Sequence, residues 1–307
     1  MKVSYTKLFN MLREKGIAKT TFGKAIDLSS ATLAKLSKNE QISMNTLISI
    51  CNYFNCQPSD IMELKYETDK NSLLYRLTEE KNAKLKGSIY HQTQIKLAYN
   101  SNHIEGSRLT EDQTRYIYET NTIVPEKEPA NVDDIIETIN HFQCFDYMID
   151  CAGNTLNEEF IKNVHKILKT NTSDSRIPWF NIGEYKSRKN MVGDMETVPP
   201  EKVKSEIEKL LERYGKKQNI ELDDILDFHV KFERIHPFQD GNGRVGRIIL
   251  FKECLKHNIV PFIIEDDLKM FYYRGLKEWN NEKGYFRDTC LTAQDRYKVY
   301  LDYFEIK

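Results

Sequence analysis

The 307-residue chain lacks several things at once, and each absence narrows its class. Its six cysteines, at 51, 56, 144, 151, 254 and 290, include no Cys-x-x-Cys pair. Cys51 and Cys56 have no His or Cys partners beside them, so zinc-ligand spacing is missing. Scattered thiols read as reduced, mostly buried residues of a cytosolic protein. No run of eighteen apolar residues occurs, so no membrane partner is expected, and Met1-Lys2-Val3-Ser4-Tyr5 lacks the apolar centre of a signal peptide. Net charge is only −1, so nothing global demands nucleic acid or a membrane surface. No internal repeat or low-complexity stretch is present. With 30% charged residues, the chain reads as a soluble globular protein of one or two domains.

Charge is nevertheless uneven. Residues 1–65 carry nine basic against five acidic side chains, a net +4, which leaves −5 for the rest. A basic module attached to a mildly acidic one is expected. Tyr5, Leu8, Phe9 and Leu12 form a helical stripe. Thr21–Ile26 and Asp27–Leu36 read as two short helices across a turn, with Ser29 or Ser30 as N-cap. Met44–Phe54 reads as a further helix, and Pro58-Ser59-Asp60-Ile61-Met62 opens a last one. Polar residues 66–71 read as a hinge leading into a longer helical region.

The densest chemistry lies in His236-Pro237-Phe238-Gln239-Asp240-Gly241-Asn242-Gly243-Arg244-Val245-Gly246-Arg247. Pro237 disfavours helix at His236. Apolar residues at helical spacing precede it (Leu222, Ile225, Leu226, Val230) and follow it (Val245, Ile248, Ile249, Leu255). The stretch is therefore helix, loop, helix, with Gly241-Asn242-Gly243 at the mouth of the second helix. Unpaired N–H groups there favour an anion, and glycines admit a phosphate closely. Arg244 and Arg247, three apart, would share a face and clamp phosphate oxygens. Asp240 suits Mg²⁺ and His236 suits general-base work. A structural account would need a separate reason for each residue.

His236 to Arg247 matches His-x-Phe-x-(Asp/Glu)-Gly-Asn-Gly-Arg-x-x-Arg at every fixed position, and so resembles the signature of Fic-domain proteins. The resemblance implies transfer of AMP from ATP to a Tyr, Ser or Thr hydroxyl of a target protein or of the chain itself. By it, His236 is the base, Phe238 anchors the loop, Asp240 holds Mg²⁺, and Gly241 to Arg247 (with Asn242, Gly243, Val245 and Gly246) surround the phosphates. Ser101, Glu105 and Gly106, which follow a helical stretch ending near Asn100, resemble the inhibitory pattern (Ser/Thr)-x-x-x-Glu-(Gly/Asn) of some Fic proteins. That resemblance implies that Glu105 pairs with Arg247 and blocks the γ-phosphate seat, or serves a reverse, AMP-removing reaction. Gly183–Pro200 resembles the Fic flap, a β-hairpin in which Asn190, Met191, Val192 and Gly193 border the nucleotide. Tyr272, Tyr273 and Asn280 resemble the residues placed around adenine and ribose. His229 is expected to be a hydrogen-bonded structural residue.

The N-terminal module resembles the helix-turn-helix of phage-repressor-like (Xre-like) regulators. Ser30, Ala31, Thr32 and Lys35 would then face DNA. That helix has no Arg, Gln or Asn for bidentate base contacts, which leaves a protein-interaction or dimerisation module open. The expected fold is mostly α: a small all-α helix-turn-helix domain over 1–65, a linker and leading helix over 66–95, a Fic-type helical bundle with one β-hairpin flap over 96–290, and a helical tail over 291–307. A homodimer is expected. The rival reading is a DNA-binding transcriptional regulator whose Fic domain senses nucleotide.

Overall fold

A computed structural model describes residues 2–65, 72–124, 129–193 and 195–306. The chain divides into two compact units, Met1–Asp69 and Lys70–Lys307. The first holds helices α1 (Thr6–Glu14), α2 (Lys19–Ala25), α3 (Ser30–Ser37), α4 (Met44–Phe54) and α5 (Pro58–Ile61). They enclose a core of Leu8, Leu12, Phe22, Leu36, Ile50 and Ile61. Ser29 and Ser43 supply the caps, accepting from the backbone N–H of Thr32 at 3.1 Å and of Thr46 at 3.2 Å. The unit is not purely helical. Strand β1 (Lys2–Ser4) pairs antiparallel with β2 (Glu63–Lys65), Val3 opposite Leu64. Three-residue strands are too short for alternation to register in a sequence. The polar stretch 66–71, expected as a hinge, lies outside the described residues.

The second unit runs α6 (Leu73–Ala83), α7 (Ile89–Ile104), α8 (Glu111–Thr120), α9 (Val132–Cys151), α10 (Glu158–Lys169), strands β3 (Met191–Val192) and β4 (Met195–Glu196), α11 (Pro200–Gly215), α12 (Leu222–Ile235), α13 (Asn242–Lys256), α14 (Lys269–Glu278) and α15 (Gly284–Tyr303). Its boundaries differ from the expected ones. Leu77 of α6 and Ile89 of α7 are fully buried in the main core, so 73–95 belongs to the bundle and is not a linker. Helix α15 passes unbroken through residue 291 and buries Tyr297 and Leu301 in that core, so no separate tail exists there.

Helix α13 is buried at Asn242 and at every residue from Arg244 to Leu255. A helix covered on all sides must run through the middle of its domain. It packs on α7, α9, α10 and α12, and its N-terminal end opens at the loop. The β3–β4 hairpin, Met191 opposite Glu196, turns at Gly193 with φ +57°; Asp194 lies outside the described residues. Among the described residues no helix is long and apolar enough to cross a membrane.

Phe251 of α13 is fully buried, with its ring edge-on to Phe145 at 5.6 Å and to Tyr297 at 5.8 Å. Phe251→Ala should destabilise this unit by about 3–5 kcal/mol, read as a lower urea midpoint by circular dichroism.

Candidate nucleotide-handling site

The loop is built from its own residues. Helix α12 ends at Ile235, and His236 caps it in the left-handed region at φ +51°, its N–H donating to the Phe232 carbonyl at 3.0 Å. Phe238 is fully buried and its ring stacks on His165 at 3.9 Å and 8°. Asn242 closes the loop twice: Oδ1 accepts from the Phe238 N–H at 2.7 Å, and Nδ2 donates to the Phe238 carbonyl at 2.9 Å. Gly241 sits at φ +79°, where a side chain would be strained, and opens α13 as an N-cap with no side chain to close it. The base of the β3–β4 hairpin is bonded to the same loop. The Lys186 N–H donates to the Pro237 carbonyl at 2.9 Å, and Asn190 Nδ2 to the Phe238 carbonyl at 3.1 Å. The buried Lys186 ammonium ties Asn190 Oδ1 at 2.6 Å to Thr197 Oγ1 at 2.5 Å.

The two arginines part company. Arg247, buried, donates from Nε to Ser101 Oγ at 3.0 Å and from Nη2 to the Ser101 carbonyl at 2.8 Å and to Glu105 Oε1 at 2.6 Å. Helix α7 therefore does not stop near Asn100 as expected. It carries Ser101 in its last turn, runs to Ile104, and places Glu105 at its C-cap. A Cβ on Gly243 would overlap Glu105 Oε1, so the bare glycine is what lets the carboxylate in. Arg244 points the other way, to Glu137 and to Asp240 Oδ2 at 3.0 Å. The same Asp240 oxygen accepts from Lys169 Nζ at 2.7 Å. Lys169 also reaches Glu137 Oε1 at 2.6 Å and Asp174 Oδ2 at 2.7 Å. Arg244 and Arg247 are thus drawn apart, the first to Glu137 of α9 and Asp240 of the loop, the second to Ser101 and Glu105 at the end of α7.

Residues 155–253 match the Fic/DOC family, and residues 7–67 match the Cro/C1-type HTH DNA-binding domain. The chain carries a Fic domain. Protein adenylyltransferase fic-1 of Caenorhabditis elegans is 23% identical over 191 residues, covering 60% of this chain and 36% of that protein. Protein adenylyltransferase Fic of Nematostella vectensis is 26% identical over 190 residues, covering 60% and 42%. The chain thus spans well under half the length of these curated relatives. Among solved structures, a fragment of Fic-1 from C. elegans superposes with TM-score 0.61 at 18% identity, covering 97% of this chain and 85% of that one. A Fic domain containing signaling protein from Bacteroides thetaiotaomicron gives 0.56 at 22% identity, covering 75% and 90%. These likenesses are of fold.

Other residues singled out in the sequence of the Fic domain fall in varied places. Tyr272 is buried, its hydroxyl 2.8 Å from His229 Nε2 and its ring 5.9 Å from the Arg247 guanidinium. Tyr273 is partly open, donating to the Ile104 carbonyl at 3.3 Å. Asn280 lies just beyond α14 and accepts from Arg234 at 2.8 Å. Met191 and Val192 are exposed on the hairpin, and Val245 is wholly buried, so it offers the loop only its backbone. Glu137, Lys169, Asp174, Lys186, Thr197 and Glu233 escaped the sequence reading. One signal was there: Lys169 occupies the buried stripe of α10 with Ile161, Val164, His165 and Leu168, where the period calls for an apolar side chain.

Burial, with the Lys186 ammonium adding to it, pushes the His236 imidazole down to about 4. Burial likewise holds His141, His165 and His229 near 3, while it raises the Glu233 carboxyl to about 8. Between those depressed values and the ordinary 6.5, the unfolded chain binds protons on four imidazoles that the folded chain does not. Glu233 acts oppositely, favouring the folded state at low pH, but it is one group against four. The urea midpoint of this unit should therefore fall as pH drops from 6.5 toward 4.5; a flat profile contradicts neutral buried imidazoles.

Proposed function

We propose that the Fic domain transfers AMP from ATP to a hydroxyl of a protein, either a separate target or the chain itself, and that Glu105 restrains it. The observation that carries this reading is one loop joining His236, Asp240 and the open N-terminus of α13, with Arg247 one turn behind. His236 Nδ1 lies 3.3 Å from the Glu233 carbonyl, an acceptor only, so the proton sits on Nδ1. Nε2 then carries the lone pair, and the depressed pKa keeps the ring neutral at physiological pH. Nε2 takes the proton of the incoming hydroxyl as its oxygen bonds to the α-phosphorus, and the bond to the pyrophosphate oxygen breaks. The N–H groups of α13 receive phosphate oxygens where the helix dipole favours negative charge.

Asp240 fits Mg²⁺: it is a hard oxygen donor, half exposed, held ionised despite its desolvation by Arg244 and Lys169. When bound there, the ion would neutralise phosphate charge. Glu137, Asp174 and Asp240 offer oxygens within 4.8 Å of one another, but Lys169 occupies their centre, so Asp240 is the residue a metal would meet.

Glu105 supports the restraint through charge. Burial alone would discourage the Arg247 cation, and Glu105 reverses that. A guanidinium so engaged is not free for a γ-phosphate, and a triphosphate without that anchor is misaligned at its α-phosphorus. With labelled ATP and Mg²⁺, Glu105→Gly should incorporate far more label than the parent protein. His236→Ala in that background should lose about 10²–10⁴-fold. Equal labelling of Glu105→Gly and parent would sink the restraint, and undiminished labelling by His236→Ala would sink the base.

A second activity attaches to the first unit. Ser30, Ala31 and Lys35 are exposed along α3 of the Cro/C1-type module, with Thr32 partly so. DNA binding there predicts an affinity that falls steeply with salt and weakens in Lys35→Ala, measured by fluorescence anisotropy. Salt-independent binding would contradict it.

A further inference from the structure

The ion cluster behind the loop goes further than a brace. Lys169 is 2% exposed, and its three N–H donors are matched by three carboxylates: Glu137 at 2.6 Å, Asp174 at 2.7 Å and Asp240 at 2.7 Å. Arg244, also buried, bonds two of the same carboxylates. Two cations thus face three anions, and one negative charge is left over. The exposures decide where it can be used. Glu137 is 14% exposed and Asp174 31%, whereas Asp240 is 52% exposed at the loop. Both cations bond the same Asp240 oxygen, Oδ2, which fixes the plane of the carboxylate and leaves Oδ1 without a bond to either cation. Had Lys169 and Arg244 faced Asp240 alone, they would have outweighed its charge and discouraged any metal. Glu137 and Asp174 draw off that positive charge.

We infer that Lys169, backed by Glu137 and Asp174, is a positioning residue that pins one oxygen of Asp240 while the cluster keeps the surplus negative charge a divalent cation requires. The inference rests on the nucleotidyl-transfer reading. It predicts that Asp174→Asn weakens metal binding whereas Lys169→Met slows the reaction without weakening it, a split that a merely structural role would not produce.

The test uses the full chain in the Glu105→Gly background, with Mn²⁺ as probe, a non-hydrolysable ATP analogue, and electron paramagnetic resonance. Asp174→Asn removes the surplus charge and should weaken Mn²⁺ binding about threefold or more. Lys169→Met adds a surplus charge, so Mn²⁺ should bind no less tightly, yet label incorporation should fall about tenfold because Asp240 is no longer held in place. Lys169→Arg should restore part of that loss. Circular dichroism checks that each variant folds. If Lys169→Met does not fold, Asp174→Asn decides alone, and unchanged Mn²⁺ affinity overturns the inference. Affinity shifts of the same sign in both variants also overturn it. If the Glu105→Gly parent neither labels nor binds Mn²⁺ with the analogue, the transfer reading has failed and this one falls with it.

Discussion

A guanidinium taken out of water must be paired, and Arg247 is such a guanidinium at the centre of the bundle. Its partners dictate much of what surrounds it. Helix α7 has to continue to Ile104 so that Ser101 offers both its hydroxyl and its carbonyl, and so that Glu105 caps the helix within reach. Position 243 has to be glycine for the carboxylate to approach. Position 246 is held to glycine from the other side, where a Cβ would overlap Glu233 and crowd His229. A single buried charge therefore constrains α7, α12 and α13 together.

Helix α13 is braced on its opposite flank by the other arginine. Arg244 and Lys169 knit Glu137 of α9, the end of α10 and the loop carboxylate Asp240 into one cluster. The arrangement separates two duties that a shared phosphate-facing side would have merged. Arg244 braces the loop through Asp240, whereas Arg247 is bound to Ser101 and Glu105 at the end of α7. The hairpin joins the same frame through Lys186 and Asn190, whose bonds go to the loop backbone and so do not depend on loop side chains.

Much of this was legible in the sequence for a physical reason. The loop residues are contiguous, so helix, turn and helix follow from local rules: Pro237 ends one helix, and Gly241 and Asn242 open the next. The Glu105–Arg247 contact was reached only through resemblance to a known pattern, since 142 positions separate the partners. The Lys169 cluster was not reached at all. Its members come from α9, α10, a turn and the loop, and lone charged residues in separate segments carry no period. The β1–β2 pair was missed because three-residue strands show no alternation, and the outer boundaries because residues 73–95 and 291–303 bury side chains that only tertiary packing identifies.

Asn242 has a consequence of another kind. Its amide mimics a missing turn of backbone, both donating to and accepting from Phe238, and so adds a local brace to the bonds that the hairpin and the Lys169 cluster make to the loop. The conformational entropy of this stretch of backbone is then surrendered when the protein folds, not when a ligand arrives. An anion meeting this surface would have no loop to order. On the proposed reading, the largest adjustment left would be the exchange of one anion for another at Arg247.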